Sequence, residues 1–382
     1  MILYVHFSTY VKNIAHTLIT VQLIKGNKLD KNLAYVLQKE NNNFDLLRLF
    51  AAIMVIYAHS FVLANAQGHE DIFLKLSGGL ANGGGIAVKF FFFLSGVLVT
   101  NSLLAGGSVK KFVVSRFFRI YPAFIFVVIF TALIAGPLFS TLPASEYYSH
   151  ETVFQYIRHN AKLHIAFYLP GVFENNIYKN AVNGSLWTIP LEIAAYALLL
   201  AAYILTGMKQ HAKSTAYLTA VFLLIIILPI LNIGDGLFFL KADLNTAPLS
   251  ACFALGSLFA LHKDKIEVSL KLPLGFLILC YLSSDVYLQH IMFYLFVSTF
   301  FLYMGSIGCI KKLKLKYDVS YGVYLWGFVV QQAVFFYAPN LNIFVNQAVC
   351  IILAIILAIP TFLLIEKPAM NLGRMINKKY KF

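Results

Sequence analysis

The chain has 382 residues, 60% of them hydrophobic and only 12% charged, with a mean hydropathy of +0.76. So little polar surface cannot cover that much apolar content in water, which excludes a soluble fold, a disordered chain and a secreted disulfide scaffold. The formal charge of +14 sits in short basic blocks between apolar runs, the pattern of membrane-protein loops and not of a nucleic-acid footprint.

The apolar runs predict an all-α integral membrane protein with about ten transmembrane helices. In chain order these lie near 46–65, 84–104, 119–138, 185–206, 216–233, 247–262, 272–287, 289–308, 319–338 and 342–365. Alternation from an inner N-terminus leaves five basic residues outside: Lys75, Arg158, Lys162, Lys179 and Lys241. Lys89 falls inside a span, near enough to the outer surface to snorkel, and the other basic residues fall on the inner side. That bias predicts both termini cytoplasmic and a multi-pass protein of the cytoplasmic (inner) membrane.

Residues 1–40 read as a polar, basic N-terminal extension without a cleavable signal sequence. The transmembrane domain is expected over 41–370, and 371–382 form a short basic cytoplasmic tail. One long outer loop, 139–184, is rich in Tyr, Asn, His and Ser and has room for a polar substrate. Cys252, Cys280, Cys309 and Cys350 lie in or beside apolar runs and read as small core residues, with no disulfide or metal site.

Ionisable residues inside a bilayer are costly and point to function. In the first span Arg48 and His59 are eleven positions apart. Eleven steps of 100° put them on one helix face, about 16 Å apart along the axis. Arg48 is then at the cytoplasmic interface and His59 near the midplane, where a neutral imidazole can act as a general base. The competing reading is a packed histidine bonded to a neighbouring helix. In the fourth span Glu192 follows the helix-kinking Pro190. It either orients His59 or binds an acceptor hydroxyl, or it pairs structurally with a donor such as Lys89. Before the third span Arg116 and Arg119 share a helix face beside Lys110 and Lys111. Their guanidinium forks suit the phosphates of a cytoplasmic ligand such as coenzyme A, or equally anionic lipid headgroups.

Five segments taken together resemble the acyltransferase 3 family of integral membrane O-acyltransferases, which includes bacterial polysaccharide O-acetyltransferases. A basic residue, ten residues and a histidine match Arg48 and His59. Two arginines leading into Ile-Tyr-Pro match Arg116, Arg119, Ile120, Tyr121 and Pro122. The phenylalanine run into Leu-Ser-Gly matches Phe90 to Gly96. Ser-Leu-Trp with a downstream Glu matches Ser185, Leu186, Trp187 and Glu192. The last helix ends in Glu366-Lys367-Pro368. The resemblance covers about residues 41–370. One departure stands out: many members carry a histidine after Ser-Tyr-x-x-Tyr-Leu, and here that position is Gly327, with Gln331 and Gln332 nearby.

The resemblance implies an acyltransferase, most closely an O-acetyltransferase, with acetyl-CoA as donor on the cytoplasmic side and no permanently bound cofactor or metal. Arg48, Arg116, Arg119 and Tyr121 would bind the donor. His59 would be the catalytic base with Glu192 as its acid partner, by direct transfer or through an acetyl-histidine. Asn183, Ser185, Trp187 and Ser95 would support the acceptor side. The acceptor would be a hydroxyl of a cell-surface or exported glycan or of a lipid-linked saccharide. Two other readings remain: a proton-coupled secondary transporter of a small polar solute, and a lipid-binding scaffold subunit that tolerates loss of His59.

Overall fold

The computed structural model describes residues 31–179, 181–207, 212–230 and 247–380. Residues 1–30 of the predicted extension, the end of the fifth predicted span and the last two residues of the predicted tail lie outside the described residues. Twelve helices matter here. They are α1 Phe44–Leu63, α2 Gly83–Gly106, α3 Val109–Phe130, α4 Glu151–Ala161, α5 Thr188–Leu205 and α6 Ala212–Ile230. They continue with α7 Ala247–Leu261, α8 Lys271–Leu282, α9 Val286–Ser306, α10 Ser320–Tyr337, α11 Ile343–Thr361 and α12 Lys367–Lys379.

A helix therefore stands at each predicted span. Among the described residues, six are long and apolar enough to cross a membrane: Phe44–Leu63, Gly83–Gly106, Val109–Phe139, Gly184–Leu205, Val286–Ser306 and Ile343–Lys379. α8 has only 12 residues, too short for the ~30 Å of hydrocarbon at 1.5 Å per residue. α10 has the length but carries buried Gln331 and Gln332. The predicted tail is not separate from the last span, because Ile343–Lys379 runs on as one helix.

The chain forms two compact units. The first holds the segment up to Ala51, Asp71–Gly107 and Ala194–Leu315. Its closest helix pair is α2 against α7. A Cβ at Gly96 would strike the Phe253 carbonyl, and one at Gly256 the Phe93 carbonyl, so both backbones touch only because both residues are glycine. Thr100 Oγ1 donates to Ser257 Oγ beside that crossing, at 2.9 Å. Lys89 does not snorkel. It is buried, with its ammonium 4.9 Å from the centroid of the Tyr294 ring. Cys309 also departs from expectation, being exposed where the other three cysteines are buried.

Residues 31–40 belong to this unit's fold. Lys31–Asn32 pairs antiparallel with Glu267–Val268 in a two-residue ladder, and Leu33 and Val36 are fully buried. Asn43 then donates to the carbonyls of Ile310 and Leu313, at 2.8 and 2.6 Å, which fixes the entry to α1.

The second unit holds Ala52–Glu70, Ser108–Ile193 and Lys316–Phe382. α10 is its axis. Trp326 Nε1 donates to Thr361 Oγ1 of α11 at 2.9 Å, and Gln331 Nε2 donates to Ile56 O of α1 at 2.8 Å. α12 lies along the start of α3, where Asn377 Nδ2 donates to Ser115 Oγ at 3.1 Å. Two π-helical turns widen these helices, Thr131–Ala135 after α3 and Phe362–Glu366 between α11 and α12.

The predicted outer loop 139–184 is not a simple surface loop. After α3 and its extension to Phe139, the chain turns and α4 runs back antiparallel along α3. The Tyr147 and Tyr148 hydroxyls donate to the carbonyls of Ala132 and Leu133, and the Tyr121 hydroxyl reaches Ala161 O. Val153, Tyr156 and Asn160 form the buried side of α4, the helical spacing of an amphipathic element. Alternating polar and apolar residues hid that spacing from a hydropathy reading of the segment.

Candidate active site

His59 sits near the C-terminal end of α1, one turn before Leu63. Its ring meets the Phe328 ring edge-on, 5.4 Å between centroids. Phe328 packs with Leu63 and Ala181, and Phe167 closes that cluster. The Nδ1 atom of His59 is buried and makes no hydrogen bond. The expected carboxylate partner is therefore not on that nitrogen. The ring packs edge-on against Phe328.

The residues before α5 stand on the same side. Gly184 lies against the Phe328 ring. Asn183 Nδ2 donates to Leu325 O at 2.9 Å, and the Tyr324 hydroxyl donates to Ser185 O at 3.0 Å. Thr188 Oγ1 and the Tyr324 hydroxyl share a bond of 2.7 Å. Asn183 and Ser185 are fully buried, and Asn183 Oδ1 and Ser185 Oγ have no partner. The Gly-Ser-Leu-Trp turn is thus pinned to α10 through the Ser185 carbonyl, and Ser185 Oγ keeps no partner. Trp187 is half-buried.

Gly327 faces Ile56 of α1. A Cβ there would come within 2.8 Å of Ile56 Cγ1, so the glycine sets how close α10 approaches α1. Gln331, one turn on, is buried and anchored to Ile56 O, and its Oε1 has no partner. Gln332 does something else: it donates to Tyr178 O and Ala181 O at 2.7 and 2.8 Å and accepts from Asn176 at 2.9 Å, clamping the 176–181 segment.

The arginine pair separates into two environments. Arg119 reaches Asp318 through Nη2 and Glu366 through Nη1, both at 3.1 Å. The Glu366 side chain is 0% exposed, that of Asp318 15% and that of Arg119 23%. This one guanidinium ties α3 to the segment that leads into α10 and to the π-helical turn between α11 and α12. Glu192 lies within electrostatic reach of Arg119 and of the Tyr324 hydroxyl. The network also engages Tyr321, whose ring lies 5.9 Å from the guanidinium carbon and whose hydroxyl donates to Ile120 O at 3.1 Å. Arg116, one turn earlier, has a buried Nε without a partner. Tyr121 is occupied by Ala161 O and stacks on Phe117.

Arg48 and Ser95 belong to the other unit. Arg48 Nη2 pairs with Asp45 Oδ1 at 2.5 Å, and Ser95 Oγ shares a bond of 2.7 Å with the Tyr196 hydroxyl. Asp318, Phe328 and Tyr324 were not singled out as site residues from the sequence. Glu366 was seen only as a motif terminus, although a carboxylate at the end of an apolar helix is itself a signal. Asp318 stands two residues before α10 and accepts from Ser320 Oγ at 2.6 Å, so it resembles an ordinary helix-start residue.

The described residues are those of a helical membrane protein in which His59 packs against Phe328, beside a turn with unpaired polar atoms. The chain belongs to the acyltransferase 3 family, whose model, described as an acyltransferase domain, matches residues 41–365. It is an acyltransferase. Among curated proteins it is 29% identical over 305 residues to an O-acetyl transferase of Shigella phage Sf6, covering 77% of this chain and 86% of that protein. It is 31% identical over 169 residues to Nodulation protein 10 of Rhizobium leguminosarum bv. viciae, covering 41% of this chain and 43% of that one. No solved structure matches it.

Proposed function

We propose that this protein is an O-acetyltransferase of the cytoplasmic membrane that moves an acetyl group from acetyl-CoA, bound from the cytoplasm, to a hydroxyl of a cell-surface or exported glycan. The similarity to the phage O-acetyl transferase over most of both chains carries this reading. The unpaired imidazole of His59 supports it from the chemical side.

In the proposed reaction His59 takes the acceptor hydroxyl proton as the oxygen attacks the thioester carbonyl. The tetrahedral intermediate collapses, the ester forms and the C–S bond breaks. His59 then returns the proton to the departing thiolate, so the products are the O-acetyl glycan and free coenzyme A. Arg116, with its free Nε, takes the donor phosphates. Arg119 positions α3 against the start of α10 and the turn before α12 through Asp318 and Glu366. Glu192 acts on that network. Ser185 and Asn183 face the acceptor with their unpaired oxygens.

The test is transfer of labelled acetyl from acetyl-CoA to a glycan extract of the host, with the protein in nanodiscs. Label in the glycan fraction is the expected result. Coenzyme A binding without any labelled glycan would remove the proposed acceptor class. Proton-coupled solute flux without coenzyme A binding would favour the transporter reading instead.

A further inference from the structure

α1 and α10 meet along one stripe of each helix. Ile56, His59 and Leu63 of α1, at helical spacings of three and four, meet Gly327, Phe328 and Gln331 of α10. Two polar atoms in that contact are buried and have no partner, His59 Nδ1 and Gln331 Oε1. Each such atom costs free energy until something fills its hydrogen-bonding capacity.

The Gln331 amide can face only one way. Its Nε2 donates to Ile56 O at 2.8 Å, and a carbonyl only accepts, so Oε1 is the free end. Gln331 is 1% exposed, which keeps that oxygen from bulk water. A helical side chain leans back toward the N-terminus, and this lays the His59 ring over the turn that carries the Ile56 carbonyl. The amide on that carbonyl and the imidazole therefore share one turn of α1, and Nδ1 is the ring nitrogen nearer the backbone.

Neighbouring donors on that turn are already engaged. Ser60 Oγ donates to Tyr57 O at 2.6 Å, and Gln347 Nε2 donates to Ser60 Oγ at 2.8 Å. Gln332, next to Gln331 in sequence, is committed to Tyr178, Ala181 and Asn176. An amide oxygen only accepts, and an imidazole nitrogen can carry the hydrogen it lacks. The two orphan atoms thus have complementary needs.

We propose that Gln331 is a positioning residue for the transfer reaction: its Oε1 accepts the Nδ1–H hydrogen of His59, directly or through one water. This bond fixes the tautomer whose Nε2 lone pair is free for the acceptor hydroxyl. A neutral amide does here what a carboxylate does in a catalytic triad. The hydroxyl proton moves to Nε2 and leaves from Nε2 to the thiolate, while Nδ1 keeps its hydrogen and Gln331 neither gains nor loses one. The proposal rests on the general-base reading of His59.

The test uses Gln331→Met, which keeps the length and removes both hydrogen bonds, and Gln331→Glu, whose carboxylic acid can make both. In nanodiscs, with labelled acetyl-CoA and the host glycan extract, Gln331→Met should lower kcat at least about tenfold and leave the KM for acetyl-CoA within about twofold. Gln331→Glu should restore most of that rate. A Gln331→Met protein that loses only thermal stability and keeps the wild-type kcat overturns the proposal. So does a Gln331→Glu protein no faster than Gln331→Met. Magnetic resonance of isotopically labelled histidine nitrogens reads the tautomer, the His59 signals being those lost in His59→Ala. The expected result is the Nδ1–H tautomer in wild type and a loss of that preference in Gln331→Met. The Nε2–H tautomer in wild type overturns the proposal even where Gln331→Met fails to insert, and an unchanged tautomer in a folded Gln331→Met does so too. A Gln331-dependent Nδ1–H tautomer in a protein that transfers no acetyl would sink the acyl-transfer reading and leave the pairing standing.

Discussion

Two polar centres of the second unit are treated in opposite ways. Arg119 is fully committed: two carboxylates, one just before α10 and one in the π-helical turn before α12, hold its guanidinium. His59 packs against a phenylalanine ring and keeps a buried nitrogen with no partner. A buried polar atom without a partner costs free energy that folding alone does not return. The structure keeps that cost beside His59 and removes it around Arg119. Under the proposed function the contrast is between a group kept ready for a ligand and a group that ties segments together, although both match the family pattern equally well in sequence.

The comparison is broken most directly at Arg119. Arg119→Ala leaves Glu366 buried without its cation, which should destabilise the protein by about 3 kcal/mol. Thermal unfolding in detergent should show the loss, and Arg119→Lys should restore only part of it, because an ammonium cannot span both carboxylates as the fork does. A variant as stable as wild type with a raised donor KM would return Arg119 to phosphate binding. Arg116→Ala is the converse. It should raise the KM for acetyl-CoA roughly tenfold and leave the unfolding temperature in place. A stability loss without a KM change would make Arg116 structural.

Smaller effects sharpen the picture on the α10 side. Gly327→His forces a side chain against Ile56 and should cost about 2 kcal/mol as α10 is pushed from α1. Unfolding measurements would read it. An unaltered or raised stability would show that the contact yields and that glycine is not needed there. At the N-terminus, removal of residues 1–30 should leave activity and stability nearly unchanged. Removal of 1–38 takes away the buried Leu33 and Val36 and should lower the unfolding temperature. Equal behaviour of the two truncations would detach residues 31–38 from the fold.

The helices were legible because runs of apolar residues near bilayer length announce themselves. Boundaries of α1, α2 and α9 fell within a few residues of expectation. α8 was placed but overestimated in length, since Ser283 and Ser284 end it early. His59 and Arg48 were legible through spacing on one helix. The fate of Arg119 was not, because its partners Asp318 and Glu366 are about 200 and 250 residues away in sequence. No local pattern carries that pairing. Lys89 was misjudged for the same reason: its partner ring, Tyr294, comes from another helix. The excursion along α3 was missed because backbone carbonyls of α3 accept the tyrosine hydroxyls that hold it, and a carbonyl has no sequence signature.

The most direct measurement compares wild type with His59→Ala in nanodiscs, following acetyl transfer from labelled acetyl-CoA and donor binding in the same samples. The account predicts that the variant inserts, unfolds at a similar temperature and binds the donor, while transfer falls at least about a hundredfold. A folded His59→Ala protein that transfers acetyl at the wild-type rate would contradict it.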